Sequence, residues 1–244
     1  MVLVRVPAFV DTVNMTGTVR RTYRHGDLPA ALLAAGIELA RAGGPEAVVL
    51  REATRRVGVS PNAAYRHFAD HHALLRAVCA AAMGQLARAM ETEQHAVPDL
   101  PAQDTALARL RAVGAGYLHY ARDEPGLFRT AFTAADELTD DDDDATGDTG
   151  LTPFGLLNAA LDDLVAVGLL PPARRPNAEL MAWSAVHGLS MLLIDGPLKH
   201  LDLNQADASG QQLLDHIQAG LLSEQPQGTL PPGDTPHRIK RAFR

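Results

Sequence analysis

An all-α fold is predicted by three features of this 244-residue chain. Its apolar residues recur at intervals of three and four, no stretch alternates with the period of two that a strand requires, and proline or glycine pairs fall in the gaps between apolar rows. At 46% hydrophobic, the chain is long enough for one large helical domain beside a small one. The reading divides it into an N-terminal extension over 1–19, a three-helix domain with a helix-turn-helix over 20–72, a larger helical domain over 73–224 and a flexible tail over 225–244.

Met1 to Thr18 lacks the long apolar region and small-residue cleavage site of a secretory signal, and is expected to be disordered or to precede the native start. Arg20, Arg21 and Arg24 follow, flanked by Gly17 and Gly26. They read as a basic arm that reaches phosphates or a minor groove, or as a solvated tail. In Leu50 to Val57, the residues Leu50, Ala53 and Val57 share one helical face, and Arg51 and Arg55 lie elsewhere. Gly58 suits the positive φ that ends a helix. Ser60 is placed to accept a hydrogen bond from the next helix's unpaired N–H groups, and Pro61 fits that helix's first position. Helix, glycine turn and short second helix make a helix-turn-helix.

Three short amphipathic helices also suit an ordinary bundle, and here the charge distribution decides. Residues 1–70 hold nine arginines and six acids, net +3, within a chain of net charge −7. One end is therefore basic on an acidic molecule.

Beyond the motif, Leu75, Val78, Cys79, Ala82 and Leu86 form an apolar row on a helix expected over about 73–90, with Cys79 as a small core residue. A single cysteine permits no internal disulfide, and the compartment expected from it is the cytoplasm. No stretch is expected to reach a transmembrane span. Pro98 and Pro101 break the chain. Leu107, Leu110, Gly114, Tyr117, Leu118 and Ala121 mark the next helix, and Pro125 opens a shorter one with Leu127, Phe128, Ala131 and Phe132. The five carboxylates from Asp140 to Asp144 lack calcium-loop spacing and read as a solvated, mobile loop. Rows over Phe154 to Gly168, Leu180 to Ile194 and Leu213 to Leu221 predict three last helices, and the Pro- and Gly-rich residues after Gln225 a frayed tail.

The run from Arg24-His25-Gly26-Asp27-Leu28 through Leu74-Leu75 resembles the N-terminal domain of the TetR-type transcriptional regulators. The resemblance implies that the second helix of the motif enters the major groove, with Tyr65 and His67 on the phosphate backbone and Phe68 in the core. Val49 stands where that family usually has a capping Ser or Thr, Thr54 where it usually has Ala, and His71-His72 where it usually has Lys-Glu. The DNA contacts expected are Ser60, Asn62, Ala63, Tyr65, His67 and His71, with Arg51 and Arg55 from the first helix of the motif and Arg20, Arg21 and Arg24 from the arm. Asn62 is the best base reader, because its amide can pair bidentately with adenine.

The run Trp183-Ser184-Ala185-Val186-His187-Gly188 resembles a Trp-His-Gly element of one C-terminal domain type in the same family. That implies a helical domain which binds a small-molecule effector and dimerises through a four-helix interface. Residues 153–170 and 177–194 are the candidates, with Leu161, Leu164, Val165, Gly168, Val186 and Leu189 in the contact. Two-fold symmetry then requires a near-palindromic double-stranded operator. Trp183 and His187 lie four apart on one helical face. With Tyr117, Phe128 and Phe132 they fit the wall of a cavity for a small apolar molecule, or ordinary core.

Catalysis finds no local support. No G-x-S-x-G, P-loop, H-E-x-x-H or Rossmann glycine pattern occurs, and the metal-like spacing of His67, His71 and His72 is interrupted by a helix break at Asp70. No cofactor and no metal are expected. The sequence reading is a homodimeric DNA-binding repressor released by an effector, with a protein-interaction module of the same fold as the alternative.

Overall fold

The computed structural model describes residues 28–138 and 142–223. The described residues form nine α-helices with short 3-10 turns and no strand: α1 Leu28–Gly43, α2 Leu50–Val57, α3 Pro61–Ala64, α4 His71–His95, α5 Ala102–Asp123, α6 Pro125–Ala131, α7 Pro153–Ala166, α8 Ala178–Ile194 and α9 Leu203–Leu222. The arm arginines Arg20, Arg21 and Arg24 and the expected C-terminal tail lie outside the described residues.

α4 is the spine. Asp70 starts it, its carboxylate accepting from the Ala73 N–H at 2.8 Å. Its 25 residues span about 37 Å, packing on α1 at one end and on α5, α6 and α7 along the rest. The row Leu75, Val78, Cys79, Ala82 and Leu86 is buried as the spacing predicts. Burial pushes the Cys79 thiol up to about 11, so it stays protonated, and its Sγ–H donates to the Thr130 carbonyl. Contrary to the expectation of no membrane-length stretch, α4 is long and apolar enough to cross a bilayer by length and composition. However, 61% of its most apolar window is buried inside the fold.

α6 is wedged between α4 and α1. Gly126 lies so close to the Ala40 and Arg41 carbonyl oxygens that a Cβ would collide with both, and Arg41 Nε donates to both Glu124 carboxylate oxygens at 2.8 and 3.0 Å. The small N-terminal bundle is thereby fixed to the larger domain by more than the shared spine.

The acidic run departs from the expectation of a free loop. Asp140 and Asp141 are outside the described residues, but Asp142 accepts from Arg76 at 3.2 Å and Ala145 is buried. Further on, the Glu91 carboxylate of α4 accepts from the Asp148 N–H at 2.7 Å, the Thr149 N–H at 2.9 Å and the Thr149 hydroxyl at 2.6 Å. Burial raises the Glu91 carboxyl and these donors lower it; the donors win, and it sits below the usual carboxylate range. Residues 142–152 are thus strapped along α4.

Candidate nucleic-acid interface and effector cavity

α2, the turn after it and α3 have the backbone that the sequence calls for. Gly58 has φ 77°, the left-handed conformation, and its N–H bonds the Thr54 carbonyl at 2.9 Å. Pro61 is the first residue of α3, with the extended Ser60 before it. The Ser60 side chain makes no capping bond, contrary to expectation; the Ala63 N–H bonds the Ser60 backbone carbonyl at 3.0 Å instead. Ser60 is exposed with its hydroxyl unspent. Val49 likewise caps α2 through its backbone alone. The buried Thr54 hydroxyl is satisfied by the Arg51 carbonyl at 2.7 Å, so the residue that replaces a small alanine leaves no unpaired polar group.

Ala64 and Phe68 hold the short helix onto the bundle, Ala64 fully buried and Phe68 packed against the core. The opposite side presents Ser60, Asn62, Tyr65, Arg66 and His67 to solvent, with Ala63 half-buried between them; Tyr65 is 47% exposed. His71 opens α4 on the exposed side, and His72 pairs with Glu137 at 3.1 Å.

The charges of this head are unequal. Arg55 donates twice to Glu52, at 2.8 and 2.7 Å, and Arg56 donates at 3.3 Å. The Arg55 bonds first, then those of Arg56, draw the Glu52 carboxyl down to about 2. Arg51 and Arg66 are exposed and make no ion pair among the described residues. Arg66 was missed by sequence reasoning, although its place in the exit turn between Tyr65 and His67 was signal enough.

In the larger domain the five expected pocket residues come together. Tyr117 stands edge-on to Phe128 and Trp183, with centroids at 5.3 and 5.4 Å, and Phe132 and His187 are 4.8 Å apart. The Tyr117 hydroxyl and His187 Nδ1 share a hydrogen bond at 2.8 Å. Burial drives the tyrosine up and the histidine down, so the pair is neutral near pH 7. The rings pack on one another. A narrow cavity of about 30 Å³ lies beyond them, walled by Tyr117, Trp183 and mainly apolar residues of α4, α5, α7, α8 and α9, with Arg111 and Gln218 the charged and amide side chains among them; Phe128, Phe132 and His187 do not line it.

Two family models match the chain. Residues 32–78 match "Bacterial regulatory proteins, tetR family", and residues 110–217 match "Tetracyclin repressor-like, C-terminal domain"; together they take in well over half of the sequence. The chain belongs to the tetR family. This regulator also shares its fold with solved structures. One is a protein of unknown function from Rhodococcus sp. RHA1, at 24% identity and TM-score 0.66, covering 83% of this chain and 100% of the other. Another is a TetR variant from Acinetobacter baumannii AYE in complex with minocycline, at 23% identity and TM-score 0.52, covering 80% and 98%. A third is the TetR family regulator PfmR from Thermus thermophilus, at 20% identity and TM-score 0.50, covering 78% and 98%. No curated protein matches the sequence. Family membership makes this chain a DNA-binding transcriptional regulator and not an enzyme.

The expected dimer contacts differ in exposure. In the single chain Leu161 and Leu164 are fully buried in the core and Val186 nearly so. Gly168 has φ 77° and lies in the turn just after α7. An apolar row states that a face is covered, not by what. Exposed large apolar residues occur at several places, and two of them share the outer face of α8, where Met181 is 75% exposed and Leu192 43%. Between them a Cβ at Gly188 would meet nothing within 4 Å.

Proposed function

We propose that this regulator is a homodimeric repressor whose operator binding is weakened by a small-molecule effector in the larger domain. The observation that carries the reading is α3 with the residues that flank it, where Ser60, Asn62, Tyr65, Arg66 and His67 are exposed while Ala64 and Phe68 anchor the segment to the core. Asn62 reads a base, and Tyr65, Arg66, His67 and Arg51 position phosphates. His71 and the arm arginines Arg20, Arg21 and Arg24 add backbone contacts whose strength falls with salt. Arg55 reaches phosphate only by leaving Glu52.

The dimer forms through the outer face of α8, with Met181, Ala185, Gly188, Leu189 and Leu192 in the contact and α9 beside it, and the operator is therefore near-palindromic. The aromatic group of Tyr117, Phe128, Phe132, Trp183 and His187 supports the effector end. An effector that prefers the form with its heads wrongly spaced weakens DNA binding by its coupling free energy, about 1–3 kcal/mol. The TetR variant bound to minocycline has the same fold, which supports a ligand site in this domain. In vitro transcription from a promoter that carries the selected operator tests the sign: added protein should lower transcript, and a rise would make it an activator.

A further inference from the structure

We propose that the effector is an uncharged, flat and mainly apolar molecule, admitted between α5 and α9 when the Leu214 side chain swings aside. The inference rests on the reading of this domain as the effector domain.

The cavity beside Tyr117 and Trp183 states the ligand's chemistry. Its walls are Met90, Leu110, Val113, Leu157, Val186 and Ile217, with few polar groups at its edge, and those groups are engaged. Tyr117 is bonded to His187. Arg111 is bonded to Asp215 and Gln211, and Gln218 Nε2 donates to the Leu107 carbonyl at 2.8 Å. An entering carboxylate or ammonium would lose its hydration and find no free counter-ion, since Arg111 is already paired with Asp215. An aromatic or alicyclic body loses nothing and gains the edges of Tyr117 and Trp183.

The cavity as it stands holds little more than a water, whereas ligand sites run to ~300 Å³ and above. The side chain that restricts it is Leu214, which lies directly over Gly114 of α5, so close that a Cβ there would collide with it. Of the 20 residues of α9 only Gly210 and Leu214 are buried, with Leu213, Ile217 and Leu221 half-buried against the core. Arg111 to Asp215 and Arg122 to Asp207 tie it to α5 at the surface. The helix therefore stays in place, and rotation of the Leu214 side chain opens the way.

Trp183 is the only tryptophan and lines the cavity, so occupancy has a built-in reporter. The test titrates the full-length protein with N-phenyl-1-naphthylamine, which is neutral, and with its sulfonated analogue 8-anilino-1-naphthalenesulfonate. The neutral dye should quench Trp183 saturably by energy transfer and raise the melting temperature, and the sulfonate should bind at least roughly tenfold more weakly. Leu214→Ala should tighten the neutral dye, and Ala182→Leu, which fills the cavity, should abolish saturation; helical circular dichroism confirms that each variant is folded. Equal binding of both dyes, no binding of the neutral dye by either wild type or Leu214→Ala, or saturation unchanged in both variants would overturn the proposal. Duplex binding by the wild type is scored separately: a protein that binds duplex but not the dye overturns only this inference, and one that binds the dye but no duplex overturns the regulator reading.

Discussion

In the proposed reading, Asn62 is the side chain on which base discrimination rests. Its amide stands exposed on the second residue of α3, the right chemistry and position for adenine in a major groove. Asn62→Ala should relax preference at one position per half-site by about 1–3 kcal/mol while leaving the other positions intact; an unchanged consensus in a binding-site selection would remove Asn62 from base reading. His71 is proposed as the converse case, a weak contact to the phosphate backbone. His71→Lys should strengthen binding to every duplex and steepen the slope of log K against log salt by about 0.9 per new phosphate contact, and an unaltered slope would take His71 out of the interface. Residues that constrain their own backbone were legible in the sequence: Gly58 and Pro61 each admit few conformations, and both stand where their chemistry puts them. Ser60 as a capping side chain was not, because a hydroxyl has several ways to be satisfied and here solvent is one of them.

At the level of helices and loops, the strap over 142–152 shows what a local reading cannot reach. Five adjacent acids look solvated when read alone, yet Asp142 is paired with Arg76 and the following Asp148 and Thr149 are held by Glu91, each partner more than fifty residues earlier. Glu91→Gln replaces an acceptor oxygen with a donor and leaves at least one strap N–H unpaired, so stability at pH 7 should fall by roughly 1–3 kcal/mol, read as a lower melting midpoint. The sign with pH follows from the depressed carboxyl. Its stabilising contribution is present above the unfolded value of about 4.3 and is lost as pH falls through the lower folded value. The difference between wild type and variant should therefore shrink below about pH 4; a constant gap down to pH 2 would show that Glu91's charge plays no part. Most helices after the motif were legible where proline and glycine breaks bound an apolar row, but α9 begins at Leu203, ten residues before the row from Leu213 that announced it, because its first turns are largely polar and exposed. α7 shows the limit: Leu161 and Leu164 were recognised as covered, but the cover is α4, α5 and α8 of the same chain.

For the molecule as a whole, two reading heads must be held by one symmetric body. The outer face of α8 is where that symmetry should be built. Met181→Glu with Leu192→Glu should give a folded monomer by sedimentation velocity, because both side chains are exposed in the single chain. Leu164→Glu should unfold the chain instead, as a carboxylate placed in the core must. A double variant that remains a dimer would move the interface elsewhere. The most direct measurement is a selection from random duplexes with the full-length protein, followed by the stoichiometry of the selected complex. An inverted repeat, with half-sites about one helical turn or a multiple of it apart and bound by two chains, is the expected result. Recovery of no consensus, or of a single half-site bound by one chain, would contradict it.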